Sequence, residues 1–316
     1  MKNKRILILG GTGALGKTLT KRYHNENHIL IFSRDEHKHV NMKRQYENIT
    51  YQIGDVKDKD SICQAINEYK PNVVINTAAL KHVPICEEHP YESVKTNIIG
   101  HKNLIDCVSN CNHKIETLMF ISTDKACKPI NVYGMCKAIS ERLYVDFANK
   151  QNDIKVVLCR YGNVLESTGS VIPFFQGLLD KGEQELPITD KRMTRFLITL
   201  EESVDLIDWS FNHPKSHGNI IVPRLESMKM TDLAKELGKS YGINNIKLNH
   251  VGIRAGEKIH EEMVSLEESL RTTKYEKYFM ITDNILNEDA WSFASNTVVM
   301  PYKKVNQFLK TKGVIK

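Results

Sequence analysis

The chain has 316 residues, of which 41% are hydrophobic and 26% charged, enough for a sizeable core and typical of a folded globular protein without long disordered spans. Its 44 basic and 38 acidic residues give a formal charge of +6, but they are dispersed, with no basic arm and no basic-aromatic interleaving. This argues against nucleic-acid binding and suits a small anionic ligand. No run of about eighteen apolar residues occurs, so no membrane span is expected.

Seven cysteines, Cys63, Cys86, Cys107, Cys111, Cys127, Cys136 and Cys159, fall at irregular spacings without a Cys-x-x-Cys. They predict reduced thiols in a cytoplasmic protein. Cys107 and Cys111 stand one helical turn apart, but no His or Cys lies at ligand spacing, so core packing is expected and no metal. The basic start Lys2-Asn3-Lys4-Arg5 is followed by only four apolar residues before Gly10-Gly11, which makes 5–9 a first strand, not an export signal.

After that strand, Gly10-Gly11-Thr12-Gly13-Ala14-Leu15-Gly16 turns directly into a helix reaching about Tyr23. Gly10, Gly13 and Gly16 keep the spacing that lets a backbone turn tightly against a pyrophosphate at a helix N-terminus, so a dinucleotide belongs here. The next strand, 28–32, ends in Ser33-Arg34, where an NAD-selective site places an acid; arginine favours the extra phosphate of NADP, although Asp35 follows at once. Strand 49–53 leads to Asp55, which either meets the adenine or caps the helix starting near Asp58. Strand 72–76 ends in the small residues Thr77-Ala78-Ala79, suited to a backbone lying against the cofactor. A helix over 91–111 carries Asn97, and strands over 115–121 and 155–159 complete an alternating pattern. The reading is α/β: a Rossmann-like doubly wound parallel sheet with a smaller, mostly C-terminal substrate-binding lobe.

The stretch from Ser122 to Lys137 gathers reactive groups. A buried strand delivers a hydroxyl at Ser122 or Thr123, then Asp124 and Lys125, and Pro129 forces a turn into a helix that carries Tyr133 and Lys137 on one face. A phenol beside a fixed cation loses its proton more easily, as a base for an alcohol requires. If the strand ran on through Lys125, Thr123 and Lys125 would face away from Ser122 and Asp124, so the backbone must leave strand geometry by Asp124.

Beyond 165 the pattern loosens. Helices are expected over 171–179, 201–211 and from about Thr231. Arginines and lysines near turns at 187–196 and 252–258 suit a diphosphate, and a helix is expected over 259–264. The division expected is a cofactor domain over 1–165, with about 190–222 packing back on it, and a partly interleaved substrate lobe over 166–316.

Several segments together resemble the inverting UDP-N-acetylglucosamine 4,6-dehydratases among the extended short-chain dehydrogenases/reductases. They are Gly-Gly-Thr-Gly-Ala-Leu-Gly at 10–16, Ser-Thr-Asp-Lys-Ala at 122–126, Pro-Ile-Asn-Val-Tyr-Gly at 129–134, Arg-Tyr-Gly-Asn-Val at 160–164, Pro-Ile-Thr-Asp at 187–190, Arg-Met-Thr-Arg-Phe at 192–196, Ser-Met-Lys-Met-Thr-Asp-Leu-Ala at 227–234 and Gly-Ile-Arg-Ala-Gly-Glu-Lys at 252–258. Ala14-Leu15 replaces the Ser-Phe of many relatives, and residues after about Tyr275 match nothing. Retaining relatives carry Asp-Glu where Asp124-Lys125 stands here, so Lys125 bears on stereochemistry.

The resemblance implies NADP held by Gly10, Thr12, Gly13, Ala14, Leu15, Gly16, Ser33, Arg34, Asp55, Val56, Ala78, Ala79, Lys81, Tyr133 and Lys137. It implies a UDP-hexosamine held by Lys81, Tyr133, Asn163, Val171, Thr189, Arg195, Arg254 and Glu257. In this reading Tyr133 takes the 4-hydroxyl proton, Lys137 holds the ribose, and Thr123 steadies the oxygen. A neutral Lys125 removes the C5 proton and a protonated Asp124 assists loss of the 6-hydroxyl, and C5 is reprotonated from the opposite face. A homo-oligomer, dimer or hexamer, follows by analogy. The alternatives are a retaining dehydratase, a 4-epimerase, and a non-catalytic NADP-binding regulator.

Overall fold

Apolar runs buried on both faces make parallel strands, and the first, β1 (Arg5–Leu9), sets the pattern: Ile6, Leu7, Ile8 and Leu9 have no exposed surface. The structure, a computed structural model, describes every residue except Glu47 and residues 166–168, so the boundary expected at 165/166 falls beside residues outside the described set. The first half continues with α1 (Ala14–Tyr23), β2 (His28–Ser33), α2 (Glu36–Lys43), β3 (Thr50–Ile53), α3 (Lys59–Tyr69), β4 (Val73–Asn76), α4 (Val83–Glu88), α5 (Pro90–Val94) and α6 (Gly100–Ser109). Then come β5 (Thr117–Thr123), α7 (Val132–Lys150) and β6 (Lys155–Tyr161).

The second half holds β7 (Asn163–Val164), α8 (Val171–Leu179), β8 (Glu185–Ile188), β9 (Thr194–Ile198), α9 (Leu200–Asn212), β10 (Ile220–Pro223), β11 (Ser227–Lys229), α10 (Met230–Ser240) and β12 (Lys247–His250). It ends with β13 (Glu262–Val264), α11 (Leu266–Ser269), β14 (Thr272–Lys274), β15 (Tyr278–Ile281), β16 (Phe293–Ala294) and α12 (Tyr302–Thr311).

The main sheet has the order β14-β15-β10-β6-β5-β4-β1-β2-β3. Strands β3 to β10 run parallel, and β15 and β14 add an antiparallel edge. Strand order reverses between β1 and β4, which opens a crevice at their carboxyl ends, the usual ligand position in such sheets. The sheet thus takes strands from both halves of the chain, and α9 packs beside α1 on one face. A second apolar cluster, built on α8, α10, α12, β8 and β9, forms the core of the smaller lobe.

Three expectations are corrected. The helix expected over 91–111 is broken: a π-helical turn, Lys95–Ile99, separates α5 from α6. Asn97 in that turn is fully buried, and its side-chain amide bonds both the N–H and the carbonyl of Leu80, at 2.9 and 2.8 Å, fixing the loop after β4. The helix expected over 259–264 is extended chain ending in β13 instead, because its backbone pairs outward: Thr194 N–H donates to Ile259 O, and β13 runs antiparallel to β16. Finally, the cysteines are not all reduced thiols. Packing of α3 on α6 brings Cys63 and Cys107 to a Cα separation of 5.1 Å, and they form a disulfide.

Candidate active site

The glycine turn fits a dinucleotide. Gly10 has φ +73°, and a Cβ there would come within 2.7 Å of Ala78 N, so the loops after β1 and β4 meet only because this position is bare. A Cβ on Gly16 would lie 2.3 Å from Gly11 O, so α1 docks directly on the turn. Its first turn has neither a side-chain cap at Gly13 nor an acidic residue, leaving N–H donors for a phosphate. Thr12 is buried and its hydroxyl lies 2.9 Å from Ser33 Oγ, tying the turn to the end of β2; Ser33 is bonded in turn to buried His39, at 2.7 Å, a contact the sequence did not suggest.

Arg34 is largely exposed and lies 3.7 Å from Asp55 Oδ2, within an ion-pair distance that a ligand phosphate could share. The cap of α3 is Asp58, which accepts from Ser61 N–H, so Asp55 does not cap it; Asp55 accepts from Lys57 N–H instead. Buried Val56 packs against Gly100, and Leu15 is buried while Ala14, Ala78 and Ala79 are half-buried.

The stretch after β5 leaves strand geometry where the alternation argument required. All seven residues of β5 are buried, and from Asp124 the chain turns as a 3₁₀ helix, Asp124–Ala126. A Cβ on Gly134 would stand 2.3 Å from Lys125 O, so the start of α7 presses on that turn and brings Tyr133 beside it. Asn131 caps α7 through Gly134 N–H at 2.7 Å and reaches across to Gly256 O, also at 2.7 Å. Ser122 turns away, donating at 2.6 Å to Glu141, so Thr123 is the hydroxyl of the cluster. Thr123 Oγ1 donates to Asp124 Oδ1 at 3.0 Å.

Lys125 Nζ is bonded to Asp124 Oδ1 at 3.1 Å and Asn163 Oδ1 at 3.2 Å, with Glu261 Oε1 at 3.7 Å. Asp124 has no exposed surface, and its Oδ2 has no hydrogen-bond partner among the described residues. Burial opposes the charge on Lys125, but the Asp124 and Glu261 carboxylates outweigh it and hold the amine above its ordinary range. The amine therefore rests protonated without substrate. Burial likewise lifts the Tyr133 phenol to about 12, against the Lys125 charge and the Thr123 hydroxyl, which lower it. Burial draws the Lys137 amine down to about 7, and its Nζ donates to Ile121 O at 2.6 Å while lying 4.2 Å from the centre of the Phe120 ring. Burial and then repulsion from Lys125 also draw the Lys81 amine below its ordinary value.

The smaller lobe reaches the same place. Arg195 is buried on β9, and its two terminal nitrogens donate to the carbonyls of Thr194, Lys258 and Ile259, so it braces the 258–259 backbone. Arg254 and Glu257 lie on the turn before it, where Glu257 Oε2 accepts from Arg254 N–H at 3.3 Å, and Lys258 Nζ donates to Cys127 O at 2.7 Å. Val171 opens α8 and Thr189 follows β8, its hydroxyl donating to Met193 Sδ; among the described residues neither hydrogen-bonds to the Asp124–Lys125 cluster.

Behind the catalytic turn, Arg160 is clamped by Glu141 and Glu268 through four bonds of 2.6–2.9 Å, all buried. Glu141 comes from α7 and Glu268 from α11, elements far apart in sequence, and nothing in the local pattern of either marked it. Glu261 was missed for the same reason. Among the described residues no group of three or more His, Cys, Asp or Glu is arranged to hold a metal ion, and no helix is long and apolar enough to cross a membrane.

Residues 6–283 match the family described as "Polysaccharide biosynthesis protein". The chain is 44% identical over 292 residues to UDP-N-acetylglucosamine 4,6-dehydratase (inverting) of Campylobacter jejuni, covering 89% of this chain and 84% of that one. It is 38% identical over 289 residues to UDP-glucose 4-epimerase of Rickettsia rickettsii, covering 88% and 83%. Among solved structures, Pen from Bacillus thuringiensis superposes over 99% of both chains with a TM-score of 0.90 at 28% identity. The dTDP-glucose 4,6-dehydratase DesIV of Streptomyces venezuelae, at 17% identity and a TM-score of 0.71 over 81% of this chain and 86% of that one, shares the fold. Matched over most of its length by this family, and built on the same doubly wound sheet, the chain belongs to the polysaccharide biosynthesis family of extended short-chain dehydrogenases/reductases.

Proposed function

We propose that the protein is a cytoplasmic, NADP-dependent dehydratase that removes water across C5 and C6 of UDP-N-acetylglucosamine and inverts C5, working as a homo-oligomer. The observation that carries this reading is the pairing of buried Asp124 with half-buried Lys125 beside Tyr133, at the carboxyl end of β5. An acid and a base beside the redox tyrosine supply what elimination needs beyond oxidation of C4. Arginine at position 34 supports NADP, because it offers a counter-charge for the extra phosphate.

NADP, when bound, supplies a hydride acceptor at C4 and a donor at C6. Tyr133 takes the proton of the 4-hydroxyl as its phenolate, its own proton having first left to solvent, and Thr123, bonded to Asp124, orients that oxygen. Lys125 takes the C5 proton once its own has passed to Asp124. The pair as a whole neither gains nor loses a proton in that shift, so a substrate that excludes water suffices to bring it about. Asp124 then gives the proton to the departing 6-hydroxyl. Asn163 fixes the Lys125 amine; Lys81, Arg254 and Glu257, with Arg195 of β9 bracing the 258–259 backbone, are the groups assigned to the sugar nucleotide.

The Rickettsia relative carries the name of a 4-epimerase; epimerisation needs rotation of the ketone but no acid and base at C5 and C6, so the Asp124–Lys125 pair favours dehydration. Proton NMR of UDP-N-acetylglucosamine incubated with the protein and NADP⁺ in heavy water decides. A 4-keto-6-deoxy product deuterated at C5 with L-arabino couplings is expected. A C4 epimer that keeps its 6-hydroxyl, or a product with the D-xylo configuration, overturns the reading.

A further inference from the structure

The proposed elimination leaves one buried carboxylate unused. Glu261 precedes β13, is 3% exposed, and places Oε1 3.7 Å from Lys125 Nζ. Its Oε2 has no hydrogen-bond partner among the described residues, the nearest cation being Lys258 Nζ at 3.9 Å. Its backbone is clamped on both sides by Ser295: Glu261 N–H donates to Ser295 Oγ at 2.9 Å, and Ser295 N–H donates to Glu261 O at 2.7 Å. The pairing of β13 with β16, and not the side chain's own bonds, therefore sets where this charge stands.

We infer that Glu261 is a positioning residue for the C5 proton transfer, the anion that steadies the Lys125 ammonium while Asp124 is neutral; this rests on the reading of Lys125 as the C5 base. When the C5–H bond breaks, its electron pair enters the enolate conjugated with the 4-ketone, and the proton goes to the lone pair of Lys125 Nζ. Asp124 still holds the proton meant for the 6-hydroxyl, so it cannot balance the new charge. Glu261 is the other carboxylate within ion-pair distance of that amine among the described residues. Loss of the hydroxyl as water then consumes the Asp124 proton and restores the resting ammonium–carboxylate pair. The groups that face Lys125 from the surrounding elements are Asp124 beside it, Glu261, Arg195 on β9, Tyr133 on α7 and Lys81 after β4. Of these, Arg195 and Lys81 oppose an ammonium.

A structural ion pair looks different in this same chain. In the Arg160 clamp every oxygen of Glu141 and Glu268 accepts a hydrogen bond, whereas Glu261 Oε2 accepts none among the described residues, as suits a group whose charge is wanted at one moment of a reaction.

The test compares wild type, Glu261→Gln and Glu261→Asp with NADP⁺ and UDP-N-acetylglucosamine, protium or deuterium at C5. For Glu261→Gln we expect KM within about twofold and kcat lower by roughly 10- to 100-fold, less than the loss of a whole acid–base group. We also expect a larger C5 isotope effect on kcat than in wild type, with Glu261→Asp recovering part of both. Wild-type kcat and isotope effect in Glu261→Gln, or a loss confined to KM, overturns the inference. If that variant does not fold, the isotope effect of Glu261→Asp decides in the same way. A wild-type enzyme that releases no 4-keto-6-deoxy sugar refutes the proposed function itself, and that failure is read on a different protein from the failure of Glu261.

Discussion

Replacing Lys137 by methionine is expected to stabilise the protein without cofactor. The amine is 2% exposed, and burial draws it from 10.5 to about 7. The folded chain therefore binds fewer protons than the unfolded chain between those values, and its stability falls as pH is lowered from 10.5, the loss being complete below about 7. At about 1.4 kcal/mol per pKa unit, the cost to the folded state is roughly 5 kcal/mol at low pH, about 3 at pH 8, and under about 0.5 at pH 10.5. Methionine has a similar unbranched reach and no charge, but it forfeits the bond to Ile121 O, worth about 1 kcal/mol. Lys137→Met should then be more stable by about 2 kcal/mol at pH 8, and slightly less stable than wild type at pH 10.5. Urea unfolding of both proteins without cofactor, followed by circular dichroism at the two pH values, gives the difference directly. A variant less stable at pH 8, or a difference that does not change with pH, would refute the claim that burial beside Phe120 disfavours the charge on Lys137.

Two further substitutions test the scaffold of the site. Gly16→Ala puts a Cβ 2.3 Å from Gly11 O and 2.5 Å from Gly11 Cα, so the turn must shift; titration calorimetry should show NADP⁺ binding weakened by about tenfold or more, and unchanged affinity would remove this turn from the cofactor site. Glu268→Gln leaves Arg160 with Glu141 alone, at a cost of about 3–5 kcal/mol and a melting temperature lower by about 10 °C at pH 7. Burial would raise the Glu268 carboxyl, but Arg160 overrides it and holds the group at about 2, below its ordinary 4.5. Its stabilisation is thus complete above pH 4.5 and lost as pH falls through about 2, so the gap between wild type and variant should narrow in acid and not in base.

What could be read in the sequence is what depends on near neighbours along the chain. The glycine turn, the alternation of strands and helices, and the bend at Asp124 follow from spacings of a few residues, and the structure places Thr123, Asp124, Lys125 and Tyr133 together as those spacings suggested. The misreadings share a different cause. Cys63 and Cys107 are 44 residues apart and meet only because α3 lies on α6. Residues 259–264 have a pattern that a helix could use, but Thr194 and Ser295, at distant points in the chain, take their backbone bonds and leave them extended. The setting of Lys125 was only half legible for the same reason: a sequence shows Asp124 next to it and says nothing of Glu261, which stands just before β13, 136 residues further on. Reactivity at this site is therefore not a property of the motif that advertises it. The motif delivers an acid, a base and a phenol to one turn, and a carboxylate of the second lobe adds its field to that of Asp124 at the base.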